Sequence, residues 1–386
     1  MKTSKFFWLA LPIAFFLGGC PSGDGGGTSS EGTSAPPVAY VANRGSNDVS
    51  AYTTNAATGV LTPVTGSPIS AGTNPSAVAV SPNGRFAFVS NASTNNVSAY
   101  SINAATGALA IVTGSPFVTG GAAPSAVTVS PNGAFLFVTN LGSNNVSVFT
   151  INAGTGALTG VAGSPFPVGT NPTGVTVSPN GMFAFVTNGV SSGISTDVSA
   201  FTINPTSGVL TPVPGSPFAA GTNPIAVAVA PSGTFAYVVN RGNDTITAYS
   251  IDPATGALTT LVGGTGNPFP TGTSPSGITI TPNGSFLYVS NNGTDNVSAY
   301  AINTGTGALT PLLVGTGNPF PAGTTPAGIT ATPDGKFVYV ANNGSGDVSA
   351  YGVDSSTGAL TALLPGVGNP FPAGSLPSGI ATPSRP

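Results

Sequence analysis

The chain has 386 residues, of which 40% are hydrophobic and only 4% are charged. Enough apolar residues are present to build a sizeable core, which excludes an intrinsically disordered chain. The formal net charge of −3 excludes a basic surface that would attract a nucleic-acid backbone. There is no histidine and only one cysteine, so the commonest general base and any internal disulfide are excluded. We expect no metal and no cofactor.

The first 19 residues are predicted to be a signal peptide. Lys2 and Lys5 precede an apolar stretch, residues 6–17, that is too short to span a bilayer comfortably. The Leu-Gly-Gly-Cys sequence ending at Cys20 resembles the lipobox of bacterial lipoproteins. That resemblance implies cleavage before Cys20 and lipid attachment to its sulfur. An ordinary signal peptide that carries a cysteine by chance is the alternative.

Residues 20–37 are rich in Gly, Ser, Thr and Pro, a composition typical of a flexible tether. A multiply acylated Cys20 would hold the chain at a membrane without a transmembrane helix. In lipoproteins an Asp after the cysteine can signal retention at the inner membrane, and Pro21 stands there instead. We therefore expect a lipid-anchored monomer at the cell envelope, on the outer membrane or the cell surface.

One tetrad, an aromatic residue followed by Val, any residue and Asn, recurs through the rest of the chain. Its spacing of about 48 to 52 residues suits a four-stranded propeller blade, although a solenoid of such units is the alternative. The tetrads end at Asn43, Asn91, Asn140, Asn188, Asn240, Asn291 and Asn342.

One repeat shows how the strands are arranged. Residues 75–80 predict strand A, residues 81–84 (Ser-Pro-Asn-Gly) predict a tight turn, and residues 86–89 predict strand B. Residues 97–102 predict strand C, and strand D starts near Ala108. Strand B is apolar at every position, so both of its faces must be covered, as they are when blades stack around an axis.

The two ends of the repeat region predict how the ring closes. The chain enters at strand B, residues 38–41, and it leaves at residues 377–381, which match strand A. The predicted fold is therefore all-β: a seven-bladed β-propeller of four-stranded antiparallel blades over residues 38–386. The C-terminal strand would pair into the N-terminal blade, which removes the open edges of the sheets.

The tetrads at 137–140 and 185–188, the Ser-Pro-Asn-Gly turns and the Asn-Val-Ser strand starts resemble the YVTN repeats of lactonase-like seven-bladed propellers. That family includes 6-phosphogluconolactonases and carboxymuconate-cyclising enzymes, and also envelope propellers without assigned chemistry. The resemblance implies a His with Arg and Glu residues at the channel mouth of catalytic members. Here there is no His, and the only Glu is Glu31 in the tether. We therefore assign none of the family's catalytic residues to this chain.

The charged residues of the B–C loops are the candidate ligand-facing residues of one rim. Arg44 and Arg241 belong to the first and fifth units, so we expect them nearly opposite each other, as solvated side chains or as two handles on a large ligand. One carboxylate per loop does not satisfy calcium, so we expect Asx turns at the acidic positions. These positions are Asp48, Asp197, Asp244, Asp295 and Asp347.

Two functions are compatible with these observations. The first, which we expect, is a non-catalytic envelope protein that binds or displays an envelope or extracellular ligand through its Asn, Thr, Ser and Gly surface. The alternative is a divergent lactonase that uses an Asp and an Arg brought within hydrogen-bond reach in one pocket.

Overall fold

The repeats form seven antiparallel sheets, which are the blades of a closed ring. The structure, a computed structural model, describes residues 36–189, 196–261, 266–312, 317–363 and 368–383. All helix or strand structure in these ranges is β-strand. The predicted all-β, seven-bladed propeller is therefore confirmed. The predicted signal peptide, Cys20 and all but the last two residues of the tether lie outside the described residues.

From the central channel outward, the strands of a blade are A, B, C and D, and a two-residue strand E follows D. In this order, blade 1 contains β35 (Pro377–Ala381), β1 (Val38–Asn43), β2 (Asp48–Thr54), β3 (Leu61–Pro63) and β4 (Ile69–Ser70). Blade 2 contains β5 (Pro75–Val80), β6 (Phe86–Asn91), β7 (Asn96–Ile102), β8 (Leu109–Ile111) and β9 (Phe117–Val118). Blade 3 contains β10 (Pro124–Val129), β11 (Phe135–Asn140), β12 (Asn145–Ile151), β13 (Leu158–Gly160) and β14 (Phe166–Pro167).

The remaining four blades keep the same order. Blade 4 contains β15 (Pro172–Val177), β16 (Phe183–Gly189), β17 (Thr196–Ile203), β18 (Leu210–Pro212) and β19 (Phe218–Ala219). Blade 5 contains β20 (Pro224–Val229), β21 (Phe235–Asn240), β22 (Thr245–Ile251), β23 (Leu258–Thr260) and β24 (Phe269–Pro270). Blade 6 contains β25 (Pro275–Ile280), β26 (Phe286–Asn291), β27 (Asn296–Ile302), β28 (Leu309–Pro311) and β29 (Phe320–Pro321). Blade 7 contains β30 (Pro326–Ala331), β31 (Phe337–Asn342), β32 (Asp347–Val353), β33 (Leu360–Ala362) and β34 (Phe371–Pro372).

The hydrophobic core lies between neighbouring blades, with strand B at its centre. Strand B is buried at every position, as in β6 and β11. Successive side chains of a strand point to opposite faces. Phe86 and Phe88 accordingly pack with Leu136 of blade 3, whereas Val89 packs with Tyr40 of blade 1. An unbroken apolar run therefore supplies both contact faces of a blade.

Strand D stops after three residues, and strand E continues along the same edge of strand C. In blade 1, β3 pairs with the end of β2, and β4 pairs with its start. Between them, the Ser67 hydroxyl accepts a hydrogen bond from the Ala51 N–H at 2.8 Å. The Asn267 amide does the same for the Ala248 N–H in blade 5, and it also donates to the Ala248 carbonyl. Side chains thus bridge the break in the outer strand.

The ring closes by pairing of the chain ends, as predicted. Strand β35 runs antiparallel to β1, with Val41 opposite Ile380. The Ser378 hydroxyl donates to the Pro75 carbonyl of blade 2 at 2.9 Å. The Tyr52 hydroxyl donates to the Pro372 carbonyl at 2.6 Å, which ties strand C of blade 1 to strand E of blade 7. No blade therefore presents an unpaired strand B.

Candidate functional site

The seven A strands surround a central channel that contains a cavity of about 900 Å³. This volume is in the range of small-molecule binding sites. The walls are formed by strands A, and one mouth is formed by the B–C loops and the D–A connections.

Each blade contributes one equivalent residue to this mouth, the residue that follows its strand-B asparagine. In ring order from blade 1 these residues are Arg44, Ala92, Leu141, Gly189, Arg241, Asn292 and Asn343. All of them except Gly189 line the cavity. The polar members are consecutive, because blades 5, 6, 7 and 1 are neighbours in the closed ring.

Arg44 and Arg241 are three blades apart, and both line this single cavity. The Arg44 Nε donates to the Asn74 Oδ1 at 2.5 Å, which leaves its four Nη–H donors available. Arg241 is half-buried at the opposite end of the polar row. Among the described residues the only ion pair is Lys336–Asp334, so neither arginine is neutralised by a carboxylate there.

Hydroxyl side chains in the channel wall link the inner strands to one another. The Ser76 hydroxyl donates to the Pro124 carbonyl of the next blade at 2.8 Å. The Ser125 hydroxyl repeats this bond to the Pro172 carbonyl at 2.7 Å. Because each hydroxyl has one proton, these donors are already used by the protein. These wall hydroxyls are therefore not available to a ligand, and the cationic donors that are available belong to Arg44 and Arg241 at the mouth.

The five acidic residues of the rim have structural partners, and none of them lines the cavity. The carboxylates of Asp48, Asp197 and Asp347 accept from the amide of the strand-B asparagine, at 2.6 to 2.7 Å. Asp244 and Asp295 instead have left-handed backbones, and their carboxylates accept from the Ser274 and Thr325 N–H groups of the next connection. The expected Asx turn within one loop is thus wrong, because the partner belongs to strand B or to the neighbouring blade.

The asparagine that ends strand B is fully buried in every blade. The Asn140 Nδ2 donates to the Ser147 hydroxyl and to the Asn145 Oδ1, both at 2.7 Å. In two blades its Oδ1 also accepts a glycine N–H, as Asn91 does from Gly72 at 3.1 Å. This amide therefore mainly ties strand B to strand C.

A second cavity, of about 600 Å³, opens at the opposite rim beside the chain ends. Its lining includes two cations, but both have partners. The Arg85 guanidinium donates to the Ala153 carbonyl at 3.0 Å, and the Lys336 ammonium lies 3.5 Å from the Asp334 carboxylate. This cavity therefore carries one arginine where the channel mouth has two, and its lysine is paired with a carboxylate.

Metal-binding clusters of three or more His, Cys, Asp or Glu residues do not occur in the described ranges. In the same ranges, no helix has the length and apolarity needed to cross a membrane.

Sequence reasoning identified Arg44 and Arg241 but missed the residues between them. Asn292 and Asn343 occupy the same repeat position as the arginines, so the signal was present in the alignment of the repeats. It was overlooked because only charged residues were considered. Asn74 was also missed, since its contact with Arg44 joins two blades.

The fold and this site define a seven-bladed propeller with a ligand-sized channel and a cationic mouth. The chain matches the family described as "Lactonase, 7-bladed beta-propeller" at residues 33–123, 127–314 and 264–372. It belongs to the seven-bladed β-propeller lactonase family.

Two relatives and one solved structure illustrate this similarity. The 6-phosphogluconolactonase of Bacillus subtilis is 29% identical over 168 residues, which are 43% of this chain and 47% of that enzyme. The 6-phosphogluconolactonase of Pectobacterium carotovorum is 32% identical over 148 residues, 37% of this chain and 42% of that enzyme. The matches thus span less than half the length of these relatives. The Pseudomonas aeruginosa periplasmic gluconolactonase has a TM-score of 0.71 at 21% identity, covering 91% of this chain and 99% of that one.

These findings correct the expected function. The chain was expected to be a non-catalytic display protein, and its family and its relatives favour a lactonase instead. The Asp and Arg pair expected of that alternative is wrong, because no Asp among the described residues lines the cavity that holds the two arginines. The expectation of a display protein failed because it counted general bases only. Opening a lactone also depends on stabilising the negative charge that develops on the carbonyl oxygen, and arginines and amides can do this without any histidine.

Proposed function

We propose that this chain hydrolyses a lactone at the arginine-bearing mouth of its central channel. One observation carries the proposal: in a member of a lactonase family, two arginines without carboxylate partners among the described residues line one ligand-sized cavity. The named activity of the relatives, 6-phosphogluconolactonase, makes sugar lactones the first substrates to test.

The chemistry needs a hydroxide ion from the solvent, the ring carbonyl and a cationic hydrogen-bond donor. Hydroxide adds to the carbonyl carbon, and the carbonyl oxygen becomes an oxyanion that a guanidinium of Arg44 or Arg241 stabilises. The ring C–O bond then breaks, and the leaving oxygen takes up the proton of the new carboxyl group, so that lactone and hydroxide give a hydroxy carboxylate. The carboxylate of the product suits the same guanidinium.

Substitution of each arginine tests these roles. Of Arg44→Gln and Arg241→Gln, the one that removes the oxyanion donor should lower kcat by about 100-fold or more, because removal of one such donor has an effect of this size. Lys336→Gln, at the opposite rim, is the matched control and should leave kcat unchanged. The measurement is ring opening of 6-phosphogluconolactone and glucono-1,5-lactone by the full chain in detergent. Wild-type rates in both arginine variants would exclude these roles. Failure of the wild-type chain to open these two lactones and the alkyl lactones tested below would exclude the proposed function.

The pH dependence of kcat/KM tests whether a general base takes part in the reaction. Apart from the two arginines, no residue that lines the cavity is titratable. A bell-shaped profile reports an essential acid and an essential base. We therefore expect kcat/KM to rise with hydroxide concentration and to show no inflection between about pH 5 and pH 8. An inflection in that range would show that an ionisable group takes part.

We also propose that the enzyme is a lipoprotein of the cell envelope, anchored through Cys20. The support is the signal-like segment with its lipobox and the Gly, Ser, Thr and Pro-rich stretch before the propeller. Labelling of the expressed chain with radioactive palmitate tests this, with Cys20→Ser as the unlabelled control. Equal labelling of the two chains, or no labelling of either, would exclude lipid attachment at this cysteine.

A further inference from the structure

We propose that the channel mouth selects a lactone that carries an apolar substituent on one side of its ring. This inference rests on the proposed lactonase function. It comes from the uneven distribution of side chains around the mouth, where one arc of the ring is polar and the other is apolar.

The polar arc consists of Arg241, Asn292, Asn343 and Arg44, from blades 5, 6, 7 and 1. Each of these side chains keeps N–H donors for a ligand. The Asn343 amide donates one of its two to the Pro377 carbonyl at 3.2 Å, and Arg44 donates one to Asn74. The arc can therefore hold the carbonyl oxygen and the ring oxygen of a lactone, and later the carboxylate of the product.

The apolar arc consists of Ala92, Ala123 and Leu141, from blades 2 and 3. All three are half-buried, and the Leu141 N–H donates to the Ala123 carbonyl at 3.0 Å, which fixes the two residues together. In blade 4 the equivalent residue is Gly189, which contributes no side chain. The side chains at this position in these three blades therefore provide no hydrogen-bond donor. The B–C loop hydroxyl of this arc that lines the cavity belongs to Ser93, the next residue of blade 2.

A lactone whose carbonyl lies on the polar arc turns its far side toward the apolar arc. A hydroxyl group placed there would lose its hydrogen bonds to water without replacement, which is unfavourable. An alkyl group there would instead remove apolar surface from water, which is favourable. The mouth should thus prefer an alkyl-substituted lactone to a polyhydroxylated one of the same ring size.

A series of six-membered lactones tests this preference. The probes are δ-valerolactone, δ-octalactone and δ-decalactone, which differ in alkyl length, and glucono-1,5-lactone as the polyhydroxylated member. Each added methylene should raise kcat/KM by about two- to fourfold until the arc is covered. Glucono-1,5-lactone should be the poorest of the four substrates.

Two substitutions replace a residue of the apolar arc by asparagine, the residue that blades 6 and 7 carry at the same position. Leu141→Asn and Ala92→Asn should each remove most of the alkyl preference, about tenfold in kcat/KM for Leu141→Asn with δ-octalactone. In both variants the ratio of kcat/KM for δ-octalactone to kcat/KM for glucono-1,5-lactone should fall. The matched control is Leu376→Asn, because Leu376 is 44% exposed in a D–A connection but does not line the cavity.

The outcomes separate this inference from the proposed function. Faster hydrolysis of glucono-1,5-lactone than of the alkyl lactones, or an equal effect of Leu376→Asn and Leu141→Asn, overturns the apolar arc while lactonase activity stands. If no lactone is opened, the proposed function fails. Calorimetry with 5-hydroxyoctanoate and gluconate then tests the arc alone: tighter binding of 5-hydroxyoctanoate, weakened by Leu141→Asn, supports it, and tighter binding of gluconate excludes it.

Discussion

At the residue scale, the buried asparagine at the end of strand B is the most repeated polar group of the molecule. We expect Asn140→Ala to lower the free energy of unfolding by about 1–3 kcal/mol, because it leaves the buried Ser147 hydroxyl without its donor. Urea unfolding measures the change. Asn152→Ala is the control, since Asn152 is exposed and its side chain accepts only from two backbone amides of an exposed turn. An equal loss in both variants would contradict a special role for the buried amide.

The sequence made these asparagines conspicuous but did not reveal their partners. The Asn140 amide bonds to Ser147, seven residues further along the chain, because the B–C turn places the two side chains on one face of the sheet. The backbone of the B–C loop is nearer in sequence and could also have supplied a partner. The pairing register decides between them, and the register follows from the loop geometry and not from residue types alone.

At the element scale, the C–D turn of one blade packs against the start of strand B in the preceding blade. Gly256 has φ +77°, and a Cβ added there would lie 2.3 Å from the Phe183 ring. Gly256→Ala should therefore lower the free energy of unfolding by about 1–2 kcal/mol because of the left-handed backbone. The clash with the Phe183 ring should lower it by about 1–3 kcal/mol more. Gly66→Ala is the control, because Gly66 has φ +86° and open space around it. Equal melting temperatures for the two variants would show that this turn does not interlock the blades.

The outer edge of the blade was the part of the fold that sequence reasoning missed. Strands A to D were predicted near their observed positions, because turn residues and apolar runs separate them. Strand E was not predicted: it has two residues, and Ser67 or Asn267 supplies by its side chain the hydrogen bond that a continuous strand would make through its backbone. Hydrophobic periodicity carries no information about so short an element.

At the scale of the whole molecule, closure by β35 determines whether the ring is stable. A chain ending at Leu376 would lose this strand and expose the inner edge of β1, which is otherwise fully buried. We expect that chain to aggregate, because an open apolar edge invites pairing with other molecules. The control is a chain ending at Pro383, which keeps β35. Size-exclusion chromatography distinguishes the two, and a monomeric, cooperatively unfolding chain without β35 would contradict the prediction.

The closed ring was predictable because seven repeats could be counted from their tetrads. The mouth was less predictable, although the same alignment places Arg44 and Arg241 three blades apart. Its chemistry depends on which residue of each B–C loop reaches the cavity, and Asn74 reaches Arg44 from a different blade. Contacts of this kind come from the packing of the blades, which residue types alone do not specify.

The tyrosines couple the stability of the whole propeller to alkaline pH. Burial raises the pKa of all nine tyrosines above the ordinary value of 10.0, to about 12 for Tyr300 and Tyr351. Their contribution is intact below pH 10, where both states are protonated. Above it, only the unfolded chain releases its protons, so the free energy of unfolding falls by about 1.4 kcal/mol per pH unit for each tyrosine. Typical domains have about 5–15 kcal/mol to lose, so the seven tyrosines with large shifts predict cooperative unfolding near pH 11. Phenolate absorbance and circular dichroism should change in one step. The double variant Tyr237→Phe, Tyr288→Phe should unfold at a higher pH. Phenylalanine is tolerated at this position, because Phe137 occupies it in blade 3. Gradual phenolate formation near pH 10 with unchanged dichroism would mean that the tyrosines are accessible in the folded ring.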